Sequence, residues 1–144
     1  MSLLVEKVTG KAGRDIIFKI REEVFVVEQK VDAADEYDEF EETSTHFLAS
    51  LGGKAVGTAR WRFTPYGIKL ERFAVRKDAR GKGVGQALVL AVLRDIMVHP
   101  DAADKKRYLH AQLEAVPLYA KFGFKKVGDQ FEECNILHYK MELG

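Results

Sequence analysis

The 144-residue sequence has little cysteine, little proline and no long apolar run. Its single cysteine, Cys134, cannot form an internal disulfide, which is typical of a reducing compartment and offers no cysteine cluster for a metal. No apolar run approaches the roughly 18 residues of a membrane span, and the first residues lack the features of a secretory signal. We therefore expect a cytoplasmic protein with neither a bound metal nor a membrane partner.

An excess of charge of one sign is also missing, because 23 basic residues stand against 22 acidic ones. No overall field therefore favours a nucleic acid or an anionic membrane, and any electrostatic function must be local. The length suits one hydrophobic core, and no repeat or Pro/Gly/Ser-rich linker divides the chain. We expect a single domain over residues 1–144 without a nucleic-acid partner.

The order of the predicted elements indicates an α/β protein with a mixed sheet. Alternating apolar residues between short turn signals predict strands over 3–8, 46–51, 54–63, 68–75, 107–112, 124–129 and 136–143. Helical spacing of apolar residues predicts helices over 14–28, 85–98 and 114–122, the last ending at Gly123. The long helix between two strands implies a parallel crossover inside an otherwise antiparallel sheet.

The segment "DAADEYDEFEE", residues 32–42, contains seven acids and no base. Such a run cannot form a hydrophobic core, so it predicts a solvated loop. The alternative is an electrostatic lip that attracts a cationic amine.

The stretch "VRKDARGKGVGQALVLAVL" places three glycines and several basic residues between a predicted strand and a predicted helix. Its spacing excludes a P-loop, because no Ser or Thr follows Gly81-Lys82, and it excludes the dinucleotide fingerprint, because Gln86 takes the place of the third glycine. Free backbone N–H groups at a helix start and glycines without a Cβ predict a diphosphate cradle. A surface turn with solvated charges is the alternative.

Two segments carry a resemblance to a known family. "LERFAVRKDARGKGVGQAL" resembles the acetyl-CoA-binding motif of the GNAT superfamily of N-acetyltransferases, and "LHAQLEAVPLYAKFGFKKVG" resembles its later strand and helix. "REEVFVVEQKVDAADEYDEFEETSTH" and "FEECNILHYKM" resemble the ElaA/YjcF-like branch, so the similarity covers nearly the whole chain. The resemblance implies the GNAT fold, a mixed and mostly antiparallel sheet with a central splayed pair of parallel strands and flanking helices.

The resemblance also implies how acetyl-CoA is held, with coenzyme A as the product. The strand backbone at Phe73, Ala74 and Val75 would pair with the pantetheine arm, and a backbone N–H there would stabilise the charge on the thioester oxygen. Gln112 stands where many members carry an Asn that bonds the pantetheine amide. The diphosphate would bind the loop residues Arg80, Gly81, Lys82, Gly83, Val84 and Gly85.

Two residues match catalytic positions of the family. Tyr119 matches the general acid that protonates the departing thiolate, and a buried structural tyrosine is the alternative. Glu71 matches a carboxylate that removes the amine proton, directly or through water, and a strand glutamate paired with a base is the alternative. Strand alternation predicts that Glu71, Phe73 and Val75 share one face.

The acceptor site is less defined by the sequence. The branch resemblance suggests pocket positions at Arg21, Glu28, Gln29, His46, Arg60, Arg62 and His138. For the two histidines a structural role is the alternative, and His99 and His110 are interpreted as structural. The suggested acceptor positions include arginines and an acid, so the sequence does not determine the charge of the acceptor.

The sequence thus predicts transfer of an acetyl group from acetyl-CoA to a primary amine, by direct attack in a ternary complex without a metal or covalent intermediate. The acceptor is a small molecule or a peptide, and a homodimer is an open possibility. The alternative is a non-catalytic acyl-CoA-binding or regulatory module. A nucleic-acid binder is a weaker alternative, because the basic patch is short and lacks interleaved aromatics.

Overall fold

The structure is a computed structural model that describes residues 2–144. Its strands are β1 (Leu3–Val8), β2 (Thr45–Leu51), β3 (Lys54–Phe63), β4 (Ile68–Val75), β5 (Arg107–Gln112), β6 (Phe124–Glu133) and β7 (Ile136–Leu143). Its α-helices are α1 (Lys11–Arg21), α2 (Ala33–Glu36), α3 (Val84–Val98) and α4 (Val116–Ala120). A π-helix, Glu22–Glu28, continues α1, and short 3₁₀ turns cover Lys77–Ala79 and Leu113–Ala115.

The seven strands form one sheet in the order β1-β2-β3-β4-β5-β7-β6. Every neighbouring pair is antiparallel except β4 and β5, which run parallel and are connected through α3. This arrangement confirms the predicted mixed α/β sheet with a central parallel pair. Within the described residues, no helix combines the length and the apolar character needed to cross a bilayer.

The hydrophobic core has two parts, one on each face of the sheet. On one face the buried side of α3, which includes Leu88 and Val92, packs on Phe47 of β2. On the other face α1, through Ile17 and Ile20, and the π-helix, through Val24, pack in one cluster with Leu48. Because Phe47 and Leu48 are consecutive, strand alternation sends them to opposite faces. The cavity described below opens in the sheet between these two layers.

Three local details differ from the sequence expectations. The helix predicted over 14–28 begins at Lys11, and its second half is the π-helix, in which Gln29 N–H bonds the carbonyl of Val24. Strand β6 extends to Glu133, beyond the predicted 124–129. Arg72 has a positive φ of 59°, and the register between β3 and β4 shifts there. This bulge interrupts the alternation of β4.

Candidate active site

The two central parallel strands separate along their length. Strands β4 and β5 pair only at Ile68↔Arg107 and Lys69↔Tyr108, although both strands continue well beyond these positions. On its other edge β5 keeps its full antiparallel pairing with β7. A cavity of about 750 Å³ therefore lies between the carboxyl-terminal halves of β4 and β5. The predicted splay is present, and the cavity reaches the glycine loop, the π-helix and α4.

The glycine loop lies at the mouth of this cavity and leads into α3. Gly81 and Gly83 have positive φ values of 77° and 82°, which residues with a Cβ rarely adopt. Gly83 caps α3 and has no side chain to bond the first N–H groups of the helix. A Cβ on Gly85 would lie 3.3 Å from Leu118 Cδ2, so this glycine permits close packing of α3 against α4. Uncapped N–H groups at the start of a 15-residue helix fit an anionic ligand.

Arg80 supplies the side-chain charge of the loop. Its guanidinium donates to both carboxylate oxygens of Glu28 at 2.6 and 2.7 Å, and its Nε donates to the carbonyl of Val75 at 3.0 Å. Arg80 and Glu28 both line the cavity, whereas Lys82 is not among the lining residues. A guanidinium held in this fork geometry fits two oxygens of a phosphate as well as it fits a carboxylate. Loop, helix terminus and Arg80 together therefore suit a diphosphate.

Gln112 ends β5 and faces the π-helix across the cavity. Its Nε2 donates to Gln29 Oε1 at 2.9 Å, and the Gln29 amide returns a longer contact of 3.4 Å. Phe73, Ala74 and Val75 line the opposite wall, on β4. The cavity is therefore bounded by an extended backbone on one side and an amide pair on the other, as expected for the channel of a pantetheine arm.

Tyr119 lies on α4 and reaches the cavity from the α3 face of the sheet. Its ring packs edge-to-face on Phe73, with centroids 5.6 Å apart, and only 6% of the residue is exposed. Burial raises the pKa of Tyr119 well above its ordinary value. The phenol consequently keeps its proton at neutral pH, which is the state a proton donor needs.

Glu71 lines the cavity but is surrounded by cations. Its Oε2 accepts from Arg60 and Arg62 at 2.8 and 2.7 Å, and Lys69 Nζ lies 3.4 Å from Oε1. Burial alone would raise the pKa of this carboxyl, but the charges of Arg60, Lys69 and Arg62 hold the pKa below its ordinary value. Glu71 is therefore a firmly ionised carboxylate with few free lone pairs.

The bulge at Arg72 corrects the predicted face of Glu71. Glu71 and Ala74 are the register partners of Arg60 and Thr58, so they share the face covered by α1. Phe73 packs into the core on the α3 face instead. The prediction that Glu71, Phe73 and Val75 share a face was wrong, because the extra residue shifts the alternation by one. Sequence periodicity does not reveal such an insertion.

The acidic segment 32–42 is not simply a solvated loop, because three of its acids meet buried arginines. Glu36 is 4% exposed and bonds Arg21 Nε at 2.7 Å. Glu41 bridges Arg21 and Arg60 at 2.8 Å from each guanidinium. Asp38 completes the group with two bonds to Arg60. We call these residues, together with Glu71, the arginine network.

The network explains why some predicted acceptor residues lie outside the cavity. Arg21 and Arg60 are 1% and 0% exposed, and their donors are engaged by carboxylates. His46 is also buried, and its Nε2 lies 2.6 Å from the carbonyl of Glu41. These three side chains do not line the cavity, whereas Glu28, Gln29 and His138 do. Arg62 lies over the ring of Phe40 at 3.9 Å.

A cluster beside the β6–β7 hairpin joins the predicted pocket residue His138 to His110, which was interpreted as structural, and to Glu133, which the sequence interpretation did not single out. Glu133, His110 and His138 line the same cavity, and His110 Nδ1 lies 3.1 Å from Glu133 Oε2. This bond, more than any other influence, lowers the pKa of Glu133 to about 2. Within residues 2–144, no group of three or more His, Cys, Asp or Glu is arranged to hold a metal ion.

The comparisons with known proteins agree with this geometry. The family model described as "Acetyltransferase (GNAT) domain" matches residues 9–144. The protein "Uncharacterized N-acetyltransferase YjcF" of Bacillus subtilis is 39% identical over 125 residues, covering 86% of this chain and 87% of the relative. The chain belongs to the GNAT acetyltransferase family. It is accordingly an acyltransferase of the GNAT type, a family whose fold uses acetyl-CoA, and the resemblance stated from its motifs is confirmed.

Solved structures extend the similarity over the whole chain. The crystal structure of Escherichia coli ElaA has a TM-score of 0.88 and 26% identity, covering 99% of this chain and 100% of that one. Together with YjcF, it supports the ElaA/YjcF-like branch. A Bacillus subtilis acetyltransferase solved in complex with CoA shares the fold, with a TM-score of 0.72, 19% identity and coverage of 99% and 98%.

Proposed function

We propose that this protein, acting as a single N-acetyltransferase domain, transfers an acetyl group from acetyl-CoA to a primary amine by direct attack in a ternary complex. The observation that carries the proposal is the cavity itself. It begins at an uncapped helix terminus with an arginine fork, runs between two separated parallel strands and reaches a buried tyrosine. Acetyl-CoA has an anionic diphosphate, an extended pantetheine arm and a reactive thioester. These three parts would meet matching surroundings in that order.

The donor-binding side rests on this chain's own groups. The loop N–H groups and Arg80 would hold the diphosphate, and the β4 backbone from Phe73 to Val75 would hold the pantetheine arm. When bound, acetyl-CoA supplies the activated acyl group. A backbone N–H directed at the thioester oxygen would stabilise the charge that develops there by about 3 kcal/mol. The similar fold solved with CoA supports the same use of this cavity.

Tyr119 would donate the proton that the departing sulfur needs. Its raised pKa keeps the proton on the phenol until a strong base forms beside it. A thiolate formed in the same low-dielectric surroundings is more basic than in water, because burial disfavours the charged form. The proton would therefore pass from the Tyr119 phenol to the thiolate, two groups whose pKa values are both raised by the same buried surroundings.

Glu71 enters the proposal with two alternative roles. As a proton acceptor it would act on the amine, directly or through water, as the family resemblance implies. Its bonds to Arg60 and Arg62 favour the other role, in which its fixed negative charge holds Lys69 at the cavity wall and the two arginines behind it. The rate and pH profile of Glu71→Gln separate the two roles, since only a proton acceptor changes both.

The test is a screen for thiol release from acetyl-CoA over polyamines, amino sugars, amino acids and peptides. We expect at least one primary amine to be acetylated, and Tyr119→Phe to lower kcat at least a hundredfold while CoA binding is retained. An unchanged kcat in Tyr119→Phe would remove the proton-donor role. Tight CoA binding with no turnover on any amine would contradict catalysis and favour the acyl-CoA-binding module.

A further inference from the structure

We propose that His138 and Glu133 bind and deprotonate the ammonium group of the acceptor, and that His110 positions Glu133 for this task. The inference rests on the proposed acetyl transfer to an amine and names the acceptor half of that site. It assigns a proton acceptor other than Glu71, and it commits the acceptor to an amine that arrives as an ammonium cation with at least two protons, as the proposed primary amine does.

The hairpin between β6 and β7 brings these side chains together. Its two-residue turn, Cys134-Asn135, has positive φ at both positions (53° and 63°), as a type I′ turn requires. The turn fixes the register Phe131↔His138 and Glu133↔Ile136. Strand alternation then puts Glu133 on the same face as Phe131 and His138. That face carries Gln112, the register partner of His138 on β5, and it borders the cavity.

The hydrogen bonds fix which nitrogen of His138 is available. His138 Nδ1 lies 2.7 Å from the carbonyl oxygen of Ile136, which can only accept, so Nδ1 carries a proton. In the neutral imidazole the lone pair is therefore on Nε2. That atom faces Glu133 Oε1 across 4.0 Å, which is too long for a hydrogen bond between them. Two acceptors thus face one another, and no donor among the described residues 2–144 bonds them both.

An ammonium group fits between these two acceptors. A nitrogen about 2.8 Å from both His138 Nε2 and Glu133 Oε1 would make two normal hydrogen bonds. With the acceptors 4.0 Å apart, the angle between the two bonds is about 90°, close enough to the tetrahedral angle of an ammonium nitrogen. A tertiary ammonium has one N–H and could not satisfy both acceptors. The pair therefore selects an amine with at least two protons.

The neighbours of the pair hold it in place. Oε2 of Glu133 accepts from His110 Nδ1 at 3.1 Å, which leaves Oε1 free to face the cavity. The ring of Phe131 stacks on His138 with centroids 5.8 Å apart and meets His110 edge-on at 5.1 Å. His138 is buried, while 44% of the Glu133 side chain is exposed, so an acceptor can approach from the carboxylate side.

The other charged groups on this face favour a cation at Glu133. The neighbouring groups are Lys69 and Glu71 on β4, Lys140 on β7 and Glu28 on the π-helix. Each of them already has an ion-pair partner. Lys69 and Glu71 pair with each other, Lys140 pairs with Glu142, and Glu28 pairs with Arg80. Glu133 has only imidazole partners. Within residues 2–144, Glu133 and Glu114 are the cavity carboxylates without an arginine or lysine partner, and Glu133 is the one that faces His138.

The proton transfers then balance. The ammonium gives one proton to His138 Nε2, and the neutral nitrogen attacks the thioester carbon while the carbon–sulfur bond breaks. The sulfur takes the proton of Tyr119. As the amide forms, the nitrogen loses its second proton to solvent. Solvent returns a proton to Tyr119. His138 later releases its proton, so each turnover yields amide, thiol and one free proton. Glu133 stabilises the imidazolium of His138 in the intervening step.

Binding is tested first with a simple probe, without relying on turnover. We would titrate CoA-saturated protein with n-butylammonium chloride and follow the histidine ring resonances by NMR. We expect saturable shifts for His138 and His110 with a dissociation constant in the millimolar range, as befits a five-atom ligand. Glu133→Gln should abolish these shifts. Neither n-butanol nor an equal concentration of sodium chloride should cause them. Glu132→Gln is the matched control, because Glu132 is exposed and points away from the cavity.

Catalysis is tested with any amine that the enzyme acetylates. In His138→Gln we expect kcat to fall about a hundredfold at pH 7 and to recover as the pH rises toward the pKa of the free amine, where the acceptor deprotonates itself. A structural defect would not recover in this way. We expect Glu133→Gln to raise KM for the amine about tenfold with a smaller effect on kcat. His110→Gln should have an intermediate effect on both.

The outcomes separate this inference from the proposed function. Failure of CoA to bind, or of every amine to react, would overturn the proposed function. The NMR titration, run on the protein without CoA where CoA does not bind, would still decide whether an ammonium binds at Glu133. Absence of saturable shifts in wild type would overturn the ammonium site. Acetylation with an unchanged pH profile in His138→Gln would overturn the proton-acceptor role while leaving the acetyl transfer intact.

Discussion

Two sets of ion pairs lie beside the cavity, and they differ in how much water and how many partners each charge has. Arg60, in the arginine network, is 0% exposed and bonds Asp38, Glu41 and Glu71. Arg80, at the mouth of the cavity, has a side chain 41% exposed and bonds one carboxylate, that of Glu28. The chemistry of the contacts is the same, but the surroundings are not.

The two sets of ion pairs therefore differ in what each can do. A buried charge that loses its partner remains desolvated, so the arginine network must stay assembled for the chain to fold. An exposed pair costs little to open, because water and salt replace the partner. The network therefore holds the acidic segment 32–42 against the sheet, whereas Arg80 is free to exchange its carboxylate for an incoming phosphate.

The largest effect is expected for Arg60→Met. The substitution would leave Asp38, Glu41 and Glu71 without their shared guanidinium, and we expect a loss of about 3 to 5 kcal/mol in the free energy of unfolding, measured by urea titration. Arg94→Met is the matched control, because Arg94 is exposed on α3, and its effect should stay within about 0.5 kcal/mol. Equal stability of the two variants would contradict the structural role of the network.

The next effect concerns the exposed pair. Arg80→Ala removes the guanidinium fork from the loop, and we expect CoA to bind ten- to a hundredfold more weakly in calorimetric titrations, with little change in stability. Lys105→Ala removes the same charge from an exposed position outside the cavity and should leave CoA affinity unchanged. Unaltered affinity in Arg80→Ala would show that the backbone alone holds the anion.

A smaller effect, with a defined pH dependence, is expected for Asp38→Asn. Burial alone would raise the pKa of Asp38, but its bonds to Arg60 lower the pKa from 3.8 to about 2. Because the pKa of Asp38 is lower in the folded protein than in the unfolded chain, ionised Asp38 stabilises the fold at pH values above the pKa of the unfolded chain. This contribution disappears as the pH falls toward 2. The stability difference between wild type and Asp38→Asn should therefore be about 1 to 2 kcal/mol at pH 7 and shrink below about pH 4. A pH-independent difference would show that the charge of Asp38 is not responsible.

Most of the architecture could be predicted from the sequence, because it follows from local signals. Turn residues and alternation define the strands, and the glycine loop with Tyr119 predicts the donor side through family motifs. The bulge at Arg72 could not be found in this way, because a positive φ at arginine has no sequence signal comparable to glycine. The face of Glu71 depends on that single residue.

The acidic segment shows a second limit of sequence reasoning. Seven acids in eleven residues predict exposure when the segment is considered alone. The arginines that bond Glu36 and Glu41 lie on α1 and β3, 15 and 19 residues away along the chain, and only the fold brings them together. Glu133 illustrates the opposite case. A two-residue turn at Cys134-Asn135 would have placed it beside His138 from the hairpin register alone.

The smallest effect is expected for Glu28→Gln, which changes the exposed pair itself. In the free protein Glu28 occupies the fork of Arg80 at 2.6 and 2.7 Å, so an incoming phosphate must displace it. Removal of the competing charge should tighten CoA binding two- to fivefold and lower the unfolding free energy by less than about 1 kcal/mol. Glu23→Gln is the matched control, because Glu23 forms a similar exposed pair with Arg76, which does not line the cavity. Weaker CoA binding in Glu28→Gln would mean that Glu28 orients Arg80 for the ligand rather than competing with it.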